Sequence, residues 1–181
     1  MPADRKAVIF CSASFDIDPK YNVIARDVVR GLCAQGYGIV SGGTIKGTMK
    51  VVAETAHERH AFNRGILPSF MKGLEYPDLS ETLWTCTMSE RKEAMRKETC
   101  LALALPGGIG TMDELIETLT LAKMGLYKGK VIAVNYDGFY DTVVAMLDHF
   151  VETGMLDSRS RALISFPRTV EETLALTAPQ D

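Results

Sequence analysis

The nine residues Pro106-Gly107-Gly108-Ile109-Gly110-Thr111-Met112-Asp113-Glu114 are of the types that an anion site needs. Glycines let the backbone come close to a ligand and turn successive N–H groups toward it. A helix starting at the end of such a turn adds its positive end, which suits a phosphate. Thr111 adds a hydroxyl. The same residues also fit a structural pattern, because Thr111 and Glu114 have the spacing of a capping box. In that pattern Thr111 caps the helix and Glu114 bonds back to the Thr111 backbone amide. Local spacing leaves both readings open. Two further turns, Cys11–Ser14 and Ser41–Gly43, follow apolar runs and qualify by position.

A second group of charges lies in Met88-Ser89-Glu90-Arg91-Lys92. Arg91 could hold a phosphate or ribose bidentately, and Lys92 could supply a second positive charge. Glu90, Arg91, Lys92, Glu93, Arg96, Lys97 and Glu98 equally suit a solvated helix with i,i+4 ion pairs. A metal is not expected. Cys11, Cys33, Cys86 and Cys100 show no CxxC spacing, and His57, His60 and His149 do not join them in a ligand pattern. The cysteines read as reduced; Cys11, Cys86 and Cys100, in or beside expected strands, read as small buried apolar residues.

The elements that would position these groups alternate along the chain. Expected strands are Lys6–Cys11, Tyr37–Val40, Gly65–Leu67, Thr82–Thr87, Leu101–Leu105, Lys130–Asn135 and Leu163–Phe166. Helices are expected from Pro19 to a stop at Gly36, then over Ile45–Arg59, Met88–Lys97, Met112–Met124, Phe139–Thr153 and Val170–Leu176. Pro68–Ser80 reads as an irregular, mobile loop over a site. Strand–helix alternation points to a Rossmann-like three-layer α/β sandwich, with a mainly parallel sheet flanked by helices. The 181 residues, without repeats or linkers, read as one domain. A net charge of −3 argues against nucleic acid, which calls for a concentrated basic surface. The N-terminus lacks the apolar run of a signal peptide and no stretch reads as a membrane span, so the expectation is a cytoplasmic protein.

Taken together, MSERK and LPGGIGTMDE resemble the paired signature of the LOG (lonely guy) family, an Arg-Lys pair after a methionine followed by PGGxGTxxE. These are cytokinin riboside 5′-monophosphate phosphoribohydrolases, long labelled possible lysine decarboxylases. VIFCSAS, SGGTIKGTM and VNYDGFYD resemble further family segments. Two positions depart from the pattern: Ser41 stands where a third glycine is common, and Ser12 in the first turn stands where a glycine is common. The resemblance implies cleavage of a nucleoside 5′-monophosphate, AMP or a cytokinin riboside monophosphate, with Arg91 and Glu114 as the catalytic pair. It implies substrate contacts from Lys92, Gly107, Gly108, Ile109, Gly110, Thr111, Met112, Asp113 and Thr120, and from Glu75 through a gapped match. It also implies a homodimer with sites near the interface and no cofactor. The older decarboxylase label would instead need pyridoxal phosphate on a lysine. A non-enzymatic alternative is a carrier of a phosphorylated cofactor, similar to the molybdenum-cofactor carriers.

Overall fold

A computed structural model describes residues 5–178. Strands β1 (Arg5–Phe10), β2 (Tyr37–Ser41), β3 (Asn63–Pro68) and β4 (Glu81–Thr85) lie on one side of the sheet. On the other side lie β5 (Leu101–Ala104), β6 (Lys130–Ala133) and β7 (Ile164–Ser165). All pairings are parallel, in the order β4-β3-β2-β1-β5-β6-β7. The helices are α1 (Pro19–Ala34), α2 (Gly47–Glu58), α3 (Met88–Arg96), α4 (Ile109–Lys123), α5 (Asp141–Glu152), α6 (Ser158–Arg161) and α7 (Val170–Thr177). The result is the expected three-layer Rossmann-like α/β sandwich.

The period-two alternation of the strands assigns the layers. Ala7, Ile9 and Cys11 of the first strand and its end pack with Leu101, Leu103 and Leu105 against α1, α2 and α7. Val8, Phe10, Ala102 and Ala104 face the opposite side, against Met95 of α3, Leu115 and Leu119 of α4, and Leu147 of α5. Central strands buried on both faces must be apolar throughout, and every residue of β2 and β5 is buried. Asp18 caps α1 by accepting from the Lys20 N–H, Pro19 sits in its first turn, and Gly36 leaves it at φ +82°.

The chain winds outward from β1 to β4, then returns to the other flank of β1 and continues through β5 to β7. The reversal falls between β1 and β5. Open parallel sheets bind ligands outside the carboxyl ends of their strands at such a switch point. Of the three candidate turns, Cys11–Ser14 and Pro106–Thr111 flank it directly.

Several expected boundaries move. The third strand is longer, running from Asn63. Helix α2 begins two residues late, at Gly47, whose φ of +51° leaves no room for a side chain against the Ala13–Ser14 backbone. The segment 68–80 is pinned rather than loose: it opens with a 3-10 turn at Ser69–Met71 and bonds back to the sheet. Tyr76 N–H donates to the Gly43 carbonyl at 2.8 Å, and Ser80 N–H to that of Asn63 at 2.8 Å. Cys11 is buried as expected, but Cys86 and Cys100 lie just outside their strands and are exposed. The four thiols are free. Among the described residues no helix is long and apolar enough to cross a membrane.

Candidate functional site

The site is assembled by the first turns of α3 and α4. In α3 the capping box is complete: Glu90 N–H donates to Thr87 Oγ1 at 3.1 Å, and Glu90 Oε2 accepts from Thr87 N–H at 3.3 Å. That rigid start turns Arg91 inward, where it is 6% exposed. The solvated-helix expectation therefore fails at Arg91 and at Arg96, which is buried and paired with Glu117, while Glu90, Glu93, Lys97 and Glu98 are exposed.

In α4 the expected capping box is absent. The helix begins at Ile109, with Gly108 as its cap and no side-chain bond. Thr111 thus lies inside the first turn, and Glu114 turns away from the helix end. The first-turn N–H groups have no intrahelical acceptors by geometry, and Gly108, Gly110 and Thr111 border the crevice. Gly107 lies beneath them, where a Cβ would collide with the Thr111 side chain.

Arg91 and Glu114 meet as a buried pair. Arg91 Nη1 donates to Glu114 Oε1 at 3.0 Å, with side-chain exposures of 7% and 6%. Arg91 Nε donates to the Ile66 carbonyl at the end of β3, at 2.9 Å. Its third nitrogen lies over Gly42: a Cβ there would stand 2.5 Å from Arg91 Nη2 and 2.7 Å from Met49 Sδ. The second glycine turn is therefore the seat of the guanidinium. Buried ion pairs lose much of their Coulomb energy to desolvation and are often replaceable by apolar residues without loss. Stability alone does not account for one in a ligand crevice.

Burial pushes the Glu114 carboxyl above its usual range, against the opposing charge and hydrogen bond of Arg91. The Cys11 thiol beneath it is pushed up strongly, by burial first and the Glu114 charge second. It stays protonated at neutral pH and is no nucleophile. Lys92 bonds both carboxylate oxygens of Asp113 at 3.0 Å and makes an ion-pair contact of 2.7 Å with Glu117. Its ammonium is held above the usual range by Glu117, then by Asp113.

The crevice has a volume of about 280 Å³. Of the expected site residues, Arg91, Lys92, Gly108, Gly110, Thr111, Asp113 and Glu114 line it. Ile109 (90% exposed), Met112 and Thr120 face the other way, along a shallow groove on the outer side of α4. Thr120 donates its hydroxyl to the Ile116 carbonyl at 2.8 Å. Glu75 is also away from the crevice: its carboxylate accepts from Gly73 N–H at 2.6 Å, and its backbone bridges to Thr44. The crevice is completed by the β1 turn Cys11–Ser14, one of the three candidate turns, and by two residues not anticipated, Met49 and Met88. Met49 and Met88 both stand in first turns of helices that follow strands; Met88 opens the expected third helix, whereas the expected start at Ile45 put Met49 a full turn further along.

Gly42→Ala is expected to displace Arg91 or Met49, lowering stability by about 1–3 kcal/mol in urea denaturation. Unchanged stability in this variant would contradict the seat assigned to Arg91.

Residues 49–177 match the model of the family described as possible lysine decarboxylase. The chain is similar to a cytokinin riboside 5′-monophosphate phosphoribohydrolase of Arabidopsis thaliana, at 30% identity over 88% of this chain and 76% of the relative. A second Arabidopsis enzyme of the same name is 30% identical over 93% of this chain and 79% of its own. Among solved structures, the molybdenum cofactor carrier protein of Chlamydomonas reinhardtii superposes with a TM-score of 0.72 at 17% identity, covering 96% and 95% of the two chains. The molybdenum cofactor binding protein of Rippkaea orientalis gives 0.73 at 18%, covering 98% and 96%. At those identities the structural likeness establishes the fold alone. The sequence match spans the glycine turn, the Arg91–Glu114 pair and most of the sheet, and the chain belongs to the possible lysine decarboxylase family, the LOG family that its motifs resemble.

Proposed function

We propose that this protein is a phosphoribohydrolase, which hydrolyses the N-glycosidic bond of a nucleoside 5′-monophosphate to the free base and ribose 5-phosphate. A cytokinin riboside monophosphate is the substrate that its relatives' names suggest, and AMP has the same nucleoside 5′-monophosphate frame. The observation that carries the reading is the buried Arg91–Glu114 pair beside the uncapped N-terminus of α4. The 5′-phosphate takes the N–H groups of the glycine turn, with the helix end favouring its charge. That remote anchor sets the ribose over the pair and contributes orientation to the reaction.

Glycosidic cleavage develops positive charge on the sugar ring. The Glu114 carboxylate faces that charge in a water-poor crevice, where fixed electrostatics act strongly. As the C1′–N bond breaks, its electron pair goes to the base. Water adds to C1′, and Glu114 orients that water and takes its proton, which then passes to the departing base. Arg91 holds Glu114 in place and favours the negative charge leaving with the base.

Two alternatives fit the residues less well. A lysine decarboxylase would need a neutral lysine amine to form a Schiff base. Lys92 is fixed as an ammonium by Asp113 and Glu117, and the residues around it do not suit pyridoxal phosphate. A carrier of a phosphorylated cofactor would have the same glycine turn, but binding alone gives no use for the carboxylate of Glu114 held by Arg91 in the crevice. Intracellular nucleotides and free thiols fit a cytoplasmic site of action.

The outer face of α4 and α5 supports a homodimer. Ile109, Met124, Met155 and Phe150 are exposed there, and Ile116, Met146 and Phe150 border a groove of about 280 Å³. Contiguous apolar surface of this kind marks an interface. Thr120 lies on that face, so it serves a nucleotide only across the interface between two copies. Wild-type protein is expected to run at twice the chain mass in light scattering, and Phe150→Glu at the chain mass. A monomeric wild type at micromolar concentration would contradict the dimer.

Glu114→Gln and Arg91→Ala are each expected to lower base release about a hundred- to thousandfold, with the far-ultraviolet circular dichroism of the sheet retained. Turnover near that of the wild type in either variant overturns the assignment. Because Glu114 works ionised and its pKa is raised, activity is lost on acidification sooner than an ordinary glutamate, at about 4.3, would dictate. The acid limb of kcat/KM is expected above that value; a limb at or below it would contradict the role.

A further inference from the structure

Beyond the phosphate turn and the Arg91–Glu114 pair, the rest of the crevice is what remains for the base. It is bounded by the β1 turn and by Met49 and Met88. Met49 comes from the first turn of α2, beside Gly42, with its N–H bonded to the Ser12 carbonyl at 3.3 Å. Met88 is the first residue of α3 and is 47% exposed. Thioethers are polarisable and adaptable, and they pack favourably on aromatic rings without demanding one pattern of edges.

The polar groups at this end are few. Ser12 Oγ accepts from the Ser14 N–H at 3.0 Å, which leaves its own O–H to donate. The Ser14 side chain is exposed, and its hydroxyl can donate or accept. Among the described residues, no side-chain amide or imidazole lines the crevice. Of its carboxylates, Asp113 is bonded to Lys92 through both oxygens, and Glu114 is paired with Arg91. Hydroxyls that donate or accept satisfy a 6-amino and a 6-oxo purine equally. Sites built to hydrogen-bond one pattern reject the other by about 10⁴-fold or more, whereas apolar contact separates related ligands by roughly 10–200-fold.

We infer that Met49 and Met88 hold the base by contact, with only serine hydroxyls at its edges, so the site accepts the 5′-monophosphates of several purines rather than adenine alone. The inference rests on the phosphoribohydrolase reading and specifies its substrate class. The 5′-phosphate, held by the glycine turn, carries the stringent part of recognition.

The test is base release from AMP, IMP and GMP by one preparation of the full chain, followed by chromatography. The expected kcat/KM values lie within roughly 100-fold of one another. A wider spread in favour of one purine overturns the inference and leaves the hydrolase reading standing. Release from none of the three overturns this inference; a cytokinin riboside monophosphate assayed beside them leaves the hydrolase reading standing if its base is freed, and overturns that reading too if it is not. Met49→Ala and Met88→Ala provide the second arm. Each is expected to raise KM for all three nucleotides roughly two- to tenfold. The inhibition constant of ribose 5-phosphate, which has no base, should not move. An unchanged KM in both variants, or an equal rise in the ribose 5-phosphate constant, overturns the role of the methionines.

Discussion

The buried pair of Arg91 and Glu114 is the constraint around which the functional end of this molecule is arranged. A guanidinium and a carboxylate drawn out of water need hydrogen-bond partners and room for the planar head group. The Ile66 carbonyl answers Arg91 Nε, Glu114 answers Nη1, and the absent side chain of Gly42 leaves space for Nη2. These partners come from the ends of β3 and β2 and from α4. The pair can therefore form only when the sheet order β3-β2-β1-β5 is in place.

The same geometry separates two roles that glycine-rich turns often share. The turn after β5 leaves the N-terminus of α4 without a side-chain cap, so its N–H groups remain for an anion. The turn after β2 makes room for an arginine. Between them the carboxyl of Glu114 sits high in pKa because burial outweighs its cationic partner. A carboxylate in that setting is poorly solvated and strongly felt by charge developing nearby, which is the electrostatic condition for stabilising a sugar cation.

Much of this was legible in the sequence, for identifiable reasons. Apolar runs such as Leu101–Leu105 and helical spacing such as Ile24, Val28 and Leu32 report burial directly, so the alternation of elements and the parallel sheet followed. What spacing could not assign was partnership. Thr111–Glu114 and Thr87–Glu90 have the same capping-box interval, yet only the second forms one, because Thr87 is the N-cap of α3 whereas α4 already begins at Ile109, ahead of Thr111. Glu93 and Arg91 share one charged helix, and only the fold decides which is buried. Ile109, Met112 and Thr120 lie on α4 with Glu114, but a helix distributes its residues around 360°, and these point to the outer groove. Met49 and Met88 reach the crevice through the sheet topology, which no local interval encodes.

The central claim is that the glycine turn anchors the phosphate and thereby sets the sugar over Glu114. A crystal structure of the Glu114→Gln variant soaked with AMP tests it most directly. The account predicts phosphate oxygens within hydrogen-bond distance, about 2.7–3.2 Å, of the N–H groups between Gly108 and Thr111, with C1′ facing the residue 114 side chain. A phosphate bound elsewhere, or a ribose turned away from residue 114, would contradict it.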